Sequence, residues 1–177
     1  IYGYNNVEVE RKVSSTLCHT PKPDRHRIIK LLSDSLTANG FNEIMCNSLS
    51  KKAYYQNLIT HPEAKVAEII NPLSSDLNAM RQTLLFGGLE SILYNSNHRN
   101  PNLKLYEWGN CYCFNGTEVA DRNSLKRYSE TLKLGLWVTG HDTSESWHRK
   151  SENVGFYHIK TYINNLLGRL GIESDII

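Results

Sequence analysis

The residue pattern of this chain predicts an α+β fold: a mostly antiparallel sheet with helices flanking it. Residues 103–114 alternate along their length. Leu103, Leu105, Glu107 and Gly109 share one face, and Lys104, Tyr106 and Trp108 share the other. Residues 131–139 alternate again and send Leu132, Leu134, Leu136 and Val138 inward. Three other stretches repeat their apolar residues at helical spacing. The order is helix, strand, strand, helix, long strand, hairpin, strand, helix.

Residues 1–20 are polar and weak in periodicity, and they read as a connector leaving a preceding domain, with Tyr2 and Tyr4 packed on a neighbour. The first helix is expected over 21–39. Pro21 and Pro23 suit a helix start, where a missing N–H costs nothing. Ile28, Ile29, Leu32 and Leu36 share its apolar face, and Gly40 supplies the left-handed residue that ends it. A strand over 41–49 follows, carrying Phe41, Ile44, Cys46 and Ser48. A short helix is expected over 50–58, a loop over 60–65 and a short strand over 66–70. Asn71-Pro72 ends that strand, and a single turn fits 74–80.

The second helix is expected over 84–97, with Leu85, Leu89, Ile92 and Leu93 as its core face. Gly87-Gly88 costs it about 1 kcal/mol per glycine relative to alanine, so the pair implies a close backbone approach or a bend. After the long strand, Asn115-Gly116 signals a hairpin turn, and 117–119 are expected to pair back. A polar loop with Trp147 spans 141–153. The last helix, over 156–170, carries Phe156, Ile159, Ile163, Leu166, Leu167 and Leu170, and Gly171 ends it.

Composition narrows the function. Hydrophobic residues make up 40% and charged residues 21%, as in an ordinary globular domain with a real core. A net charge of +2 is too small to argue nucleic-acid binding from charge alone. Cys18, Cys46, Cys111 and Cys113 lack zinc-site spacing and read as reduced structural thiols. No apolar run is long enough to span a membrane and no signal-peptide pattern is present, so a cytoplasmic protein is expected. Asn115-Gly116-Thr117 matches a glycosylation sequon but reads better as a turn. The chain starts IYGYNN without Met and stops at IESDII in mid-pattern, as a segment of something longer would.

No G-x-x-x-x-G-K-[ST] loop, no strand-linked G-x-G-x-x-G, no H-E-x-x-H and no G-x-S-x-G occurs. The seven histidines are scattered over loops and helix ends without metal-ligand spacing. No residue is therefore assigned as catalytic, cofactor-binding or metal-ligating. Glu107 lies on the predicted central strand, where a buried carboxylate needs a partner. Arg81, just ahead of the second helix, is the candidate, and the two are expected to form a structural pair. The sharper alternative is a substrate-binding acid beside an anion-binding arginine. Lys126-Arg127-Tyr128 and Trp147-His148-Arg149-Lys150 set basic groups beside aromatic ones. Lys126, Arg127, Arg149 and Lys150 are thus candidate RNA contacts, with a solvated loop as the competing reading.

Four segments carry a family likeness in a fixed order. IYGYNN, at 1–6, looks like the exit from a preceding domain. NPLSSDLNAMRQTLLFGGLESILYNSNHR, from Asn71, resembles an Asn-Pro-Leu-Ser, Met-Arg-x-x-Leu and Gly-Leu-Leu…Asn run. LKLYEWGNCYCF resembles a Leu-Phe-Glu-x-Gly strand. Trp147, then VGFYHIK from Val154, resembles a Trp followed by Asp-Phe-Phe-Asp-x-Lys-Gly. Together they resemble the catalytic-like module of the β subunit of bacterial phenylalanine–tRNA ligase (phenylalanyl-tRNA synthetase). The chain departs from that pattern at Gly155 and His158, where the family often has Asp, and at Thr161, where it often has Gly.

The resemblance implies a class II aminoacyl-tRNA synthetase fold. It also implies an α2β2 enzyme that uses ATP and Mg2+ to attach phenylalanine to tRNA(Phe). The α subunit carries the chemistry, and the β module shares the fold without the activity. Active class II sites place an arginine two residues before a glutamate on the long strand; here that position is Leu105, which cannot bind a phosphate. The family's acidic residues credited with magnesium lie upstream of the segment that matches IYGYNN. The expectation is a connector over 1–20 and a non-catalytic module over 21–177. That module has no cofactor of its own and holds the α subunits through 21–49. A tRNA-binding module and an autonomous adenylating enzyme are the alternatives.

Overall fold

Two long strands organise the fold in the computed structural model, which describes residues 16, 24–116, 125–142, 147–148 and 150–173. β4 (Leu103–Phe114) and β5 (Tyr128–Thr139) pair antiparallel from end to end, with Leu103 opposite Thr139 and Phe114 opposite Tyr128. The Asn115 N–H donates to the Arg127 carbonyl at 2.7 Å and closes the ladder. The partner of β4 is thus β5, reached through a long connection rather than a tight hairpin. Residues 117–119, expected to pair back, lie outside the described residues. β1 (Asn42–Glu43) runs parallel to β4 on its other side, with Asn42 opposite Leu105 and Glu43 opposite Tyr106.

β4 is covered on both faces, so its alternation sorts two cores. Tyr106 and Trp108 point to the first. There α1 (Arg25–Ala38) and α3 (Phe156–Arg169) supply Leu32, Leu36 and Leu166, and Phe41 joins them. Phe41 meets Tyr162 edge to face at 4.9 Å, and the Trp108 indole N–H donates to Ser33 Oγ at 2.9 Å. Leu103, Leu105 and Cys111 point to the second core, with Leu84 and Trp137. α2 (Leu85–Asn97) lies over it. A third cluster of Tyr55, Val66 and Ala79 supports a small antiparallel sheet of β2 (Leu49–Ser50) and β3 (Ala79–Met80).

The helix ends follow local chemistry. Asp24 caps α1 by accepting from the backbone N–H groups of His26 and Arg27. α1 therefore starts later than residue 21; Pro21 and Pro23 lie outside the described residues. Gly40 ends the helix with φ +83°. α3 closes the same way at Gly171.

Four expectations are corrected. Residues 41–49 do not form one strand: pairing with β4 stops soon after Glu43, because the Cys46 amide and carbonyl bond to the side chains of Glu107 and Arg81 instead, and Leu49 joins a second sheet. Residues 50–58 contain only a 3-10 turn, Lys52–Tyr55, and 66–70 contribute a single bridge, Glu68 to Ala79. The face of α2 is also different. Leu85, Leu89 and Leu93 are exposed, and the helix approaches the sheet through Gly87 and Gly88. A Cβ on Gly88 would stand 2.0 Å from Cε2 of Trp137, and one on Gly87 would stand 2.8 Å from Cβ of Cys46. The glycine pair serves a close approach, and that approach turns the leucines outward.

Candidate functional site

Glu107 is 1% exposed on the α2 side of β4. Arg81 follows β3 directly and meets it, Nη1 to Oε1, at 2.6 Å. The structure thus brings the two expected partners together. The arginine is held at both levels. Its backbone N–H donates to Ser48 O at 3.0 Å, and its carbonyl accepts from the Tyr112 N–H at 2.8 Å. Its Nε donates to Asn110 O at 3.0 Å, and Nη1 also reaches Cys46 O at 3.3 Å. The Cys46 N–H donates to Glu107 Oε1 at 3.2 Å. The pair therefore takes the hydrogen bonds that β1 would have made had it continued. Glu107 Oε2 has no hydrogen-bond partner among the described residues, a cost that the charge pairing offsets.

Gly109, which the sequence placed on the Glu107 face without a role, makes this arrangement fit. A Cβ there would stand 2.2 Å from Arg81 Nη2. A glycine inside an otherwise bulky strand is the signal that could have found it.

Above the pair lies a cleft of about 330 Å³, walled by Cys46, Asn47, Lys51, Asp76, Thr83 and Glu90. Its charges are paired: Lys51 with Asp76 at 3.3 Å, and Glu90 accepting from the Tyr54 hydroxyl at 2.5 Å. Burial raises the Cys46 thiol above its ordinary pKa, against a lowering by the hydrogen bond with Ser91, 3.6 Å away. Burial raises Cys111 as well. Both thiols are thereby kept neutral and weakly nucleophilic.

The cation at the floor of this cleft is already engaged. The Arg81 charge is neutralised by Glu107, and its donors are turned to backbone carbonyls. Leu105, two residues before Glu107, is 4% exposed and opposite Trp137 in the ladder. Among the described residues, no three His, Cys, Asp or Glu side chains are grouped to hold a metal.

The candidate RNA contacts are not brought together. Lys126 and Arg127 sit where β5 begins. Arg127 donates to Gly116 O at 2.8 Å through Nη2, and its guanidinium lies 4.9 Å from the Phe114 ring. Lys150 is exposed on the loop that leaves the opposite end of β5, a strand about 40 Å long. Arg149 lies outside the described residues. No described helix is long and apolar enough to cross a membrane.

The architecture is that of a class II aminoacyl-tRNA synthetase fold. A Bacillus halodurans protein described as an ATP phosphoribosyltransferase regulatory subunit/histidyl-tRNA synthetase is similar with TM-score 0.56 and 12% identity, over 94% of this chain and 40% of that one. A pyrrolysyl tRNA synthetase of Desulfitobacterium hafniense is similar with TM-score 0.50 and 16% identity, over 86% and 49%. Residues 11–176 match the family described as the phenylalanyl tRNA synthetase beta chain CLM domain, and the chain belongs to that family. The phenylalanine–tRNA ligase beta subunit of Bacteroides fragilis is 46% identical over 174 residues, and that of Porphyromonas gingivalis 40% over 175. Each match covers 98% of this chain and 21% of the relative, so the chain spans about a fifth of the length of these proteins.

Proposed function

We propose that this chain is a non-catalytic module of the β subunit of a phenylalanine–tRNA ligase. In this reading residues 21–177 form the module and 1–20 lead into it from a preceding domain. The α subunits of an α2β2 assembly bind ATP, Mg2+ and phenylalanine and charge tRNA(Phe) in the cytoplasm. The module keeps them in place through residues 21–49, where Leu31 and Met45 are the exposed large apolar side chains.

The observation that carries the reading is the state of the α2 face of β4. Catalysis of adenylation needs cations aimed at phosphate charge. Here the arginine on this face is bound to Glu107 and to backbone carbonyls, and Leu105 is buried hydrocarbon. A rigid, internally neutral floor supports a scaffold rather than an active site.

Phenylalanine-dependent ATP–pyrophosphate exchange tests it. The β subunit alone should show only background exchange, and adding α should restore it. Exchange by β alone would overturn the reading. Co-purification with α should fall when Leu31→Asp and Met45→Asp are combined in β.

A further inference from the structure

α3 starts on a glycine. Gly155 is its N-cap and has no side chain to accept from the first turn, which holds no acidic residue either. The Gly155 N–H instead donates to Nδ1 of His158, three residues on, at 3.0 Å. That is the place where a capping box carries Glu or Gln. An imidazole nitrogen accepts only while it is unprotonated, so the bond fixes a neutral ring with its proton on Nε2.

Several described residues surround His158. It shares a cavity of about 350 Å³ with Asp142, from the segment after β5, with Asn39 at the end of α1, and with Tyr157 and Tyr162 of α3 itself. Lys104 on β4 holds two of these, reaching Asp142 at 3.2 Å and the Tyr162 hydroxyl at 2.8 Å.

We propose that His158 is a pH-operated cap on α3. Neutral, it closes the first turn through the Gly155 N–H. Protonated, it can no longer accept, and its charge opposes the positive end of the helix dipole. The ring then turns into the cavity toward Asp142, whose carboxylate it shares with Lys104. The first turn, with Phe156 and Tyr157 already exposed, opens on acidification. Tyr162 and Leu166 keep the rest of α3 on the core. The device needs only the bond from the Gly155 N–H to His158. It does not depend on the role assigned to the α2 face.

Amide hydrogen exchange at Gly155 and at His158, whose own N–H donates to the Gly155 carbonyl at 3.1 Å, tests this in the β subunit, with rates divided by their intrinsic values at each pH. Protection should fall roughly fivefold from pH 8 to pH 5, the scale of one capping bond. His158→Gln keeps an acceptor that does not titrate, and its protection should stay level. A level profile in the unaltered protein, or the same fall in His158→Gln, would overturn the proposal.

Discussion

The two faces of β4 use the same strand for different ends. On the α1 and α3 face, Tyr106 and Trp108 meet leucines, and the fill is mostly hydrocarbon, with hydrogen bonds from the Trp108 indole to Ser33, from the Tyr106 hydroxyl to Glu43 and from Lys104 to the Tyr162 hydroxyl. On the α2 face, Leu105 is followed by a buried charge and then by a glycine. The first face is held mainly by volume and best tolerates apolar side chains of similar size. The second is held by specific partners, because a buried Glu107 without Arg81 is an uncompensated charge. Hydrocarbon burial holds the layers together; the ion pair fixes where the loop after β1 and the strand β3 sit against the sheet.

Breaking the second face should hurt most. Arg81→Met leaves Glu107 buried and unpaired and should cost about 3–5 kcal/mol, read from the urea midpoint. Adding Glu107→Leu should return most of that stability, because a well-packed apolar pair is often neutral relative to a buried ion pair. If the double variant is no more stable than the single, the pair holds more than its own charges. On the first face, Leu36→Ala should cost about 3 kcal/mol with no single partner change able to restore it.

Glycine substitutions sharpen the contrast through their sign. Gly88→Ala drives a methyl into the Trp137 indole and should destabilise by about 1–3 kcal/mol. Gly168→Ala on α3 meets nothing within 4 Å and should stabilise by about 0.5–1 kcal/mol. Equal signs in thermal unfolding would show that α2 does not lie as close to the sheet as described.

The smallest effect is a pH slope. Cys46 and Cys111 on the α2 side are raised by burial. Lys104, which bonds to α3, is raised first by its hydrogen bond to Tyr162 and further by Asp142. Raised folded-state values mean stability that is present below the ordinary pKa and lost as pH climbs through the folded one. The thiol contribution should fade above about pH 8.5 and the lysine contribution above about pH 10. Denaturation midpoints measured from pH 7 to 11 should fall in both windows. Cys46→Ala with Cys111→Ala should flatten the first window and leave the second.

Much of the frame is readable locally. Leu103–Phe114 stands where its alternation predicts, because both faces are buried and each residue declares one of them. α1 and α3 follow their apolar stripes, with Gly40 and Gly171 at their ends. The failures lie where distant groups decide. Residues 41–49 look like a strand, but the Cys46 amide and carbonyl are claimed by Glu107 and Arg81, far away in sequence. The leucine stripe of α2 looks like a core face, but Gly87 against Cys46 and Gly88 against Trp137 bring another side closer. Arg81 and Glu107 were readable as partners because a buried acid requires one. The role of Gly109 depended on seeing Arg81 above it.

The central claim is that the Arg81–Glu107 pair holds structure and takes no part in chemistry. It is tested most directly by aminoacylation of tRNA(Phe) with the assembled α/β enzyme carrying Arg81→Met and Glu107→Leu in β. The account predicts a kcat within about twofold of the unaltered enzyme. A loss of about a hundredfold, the scale of a lost electrostatic catalytic group, with assembly intact would contradict it.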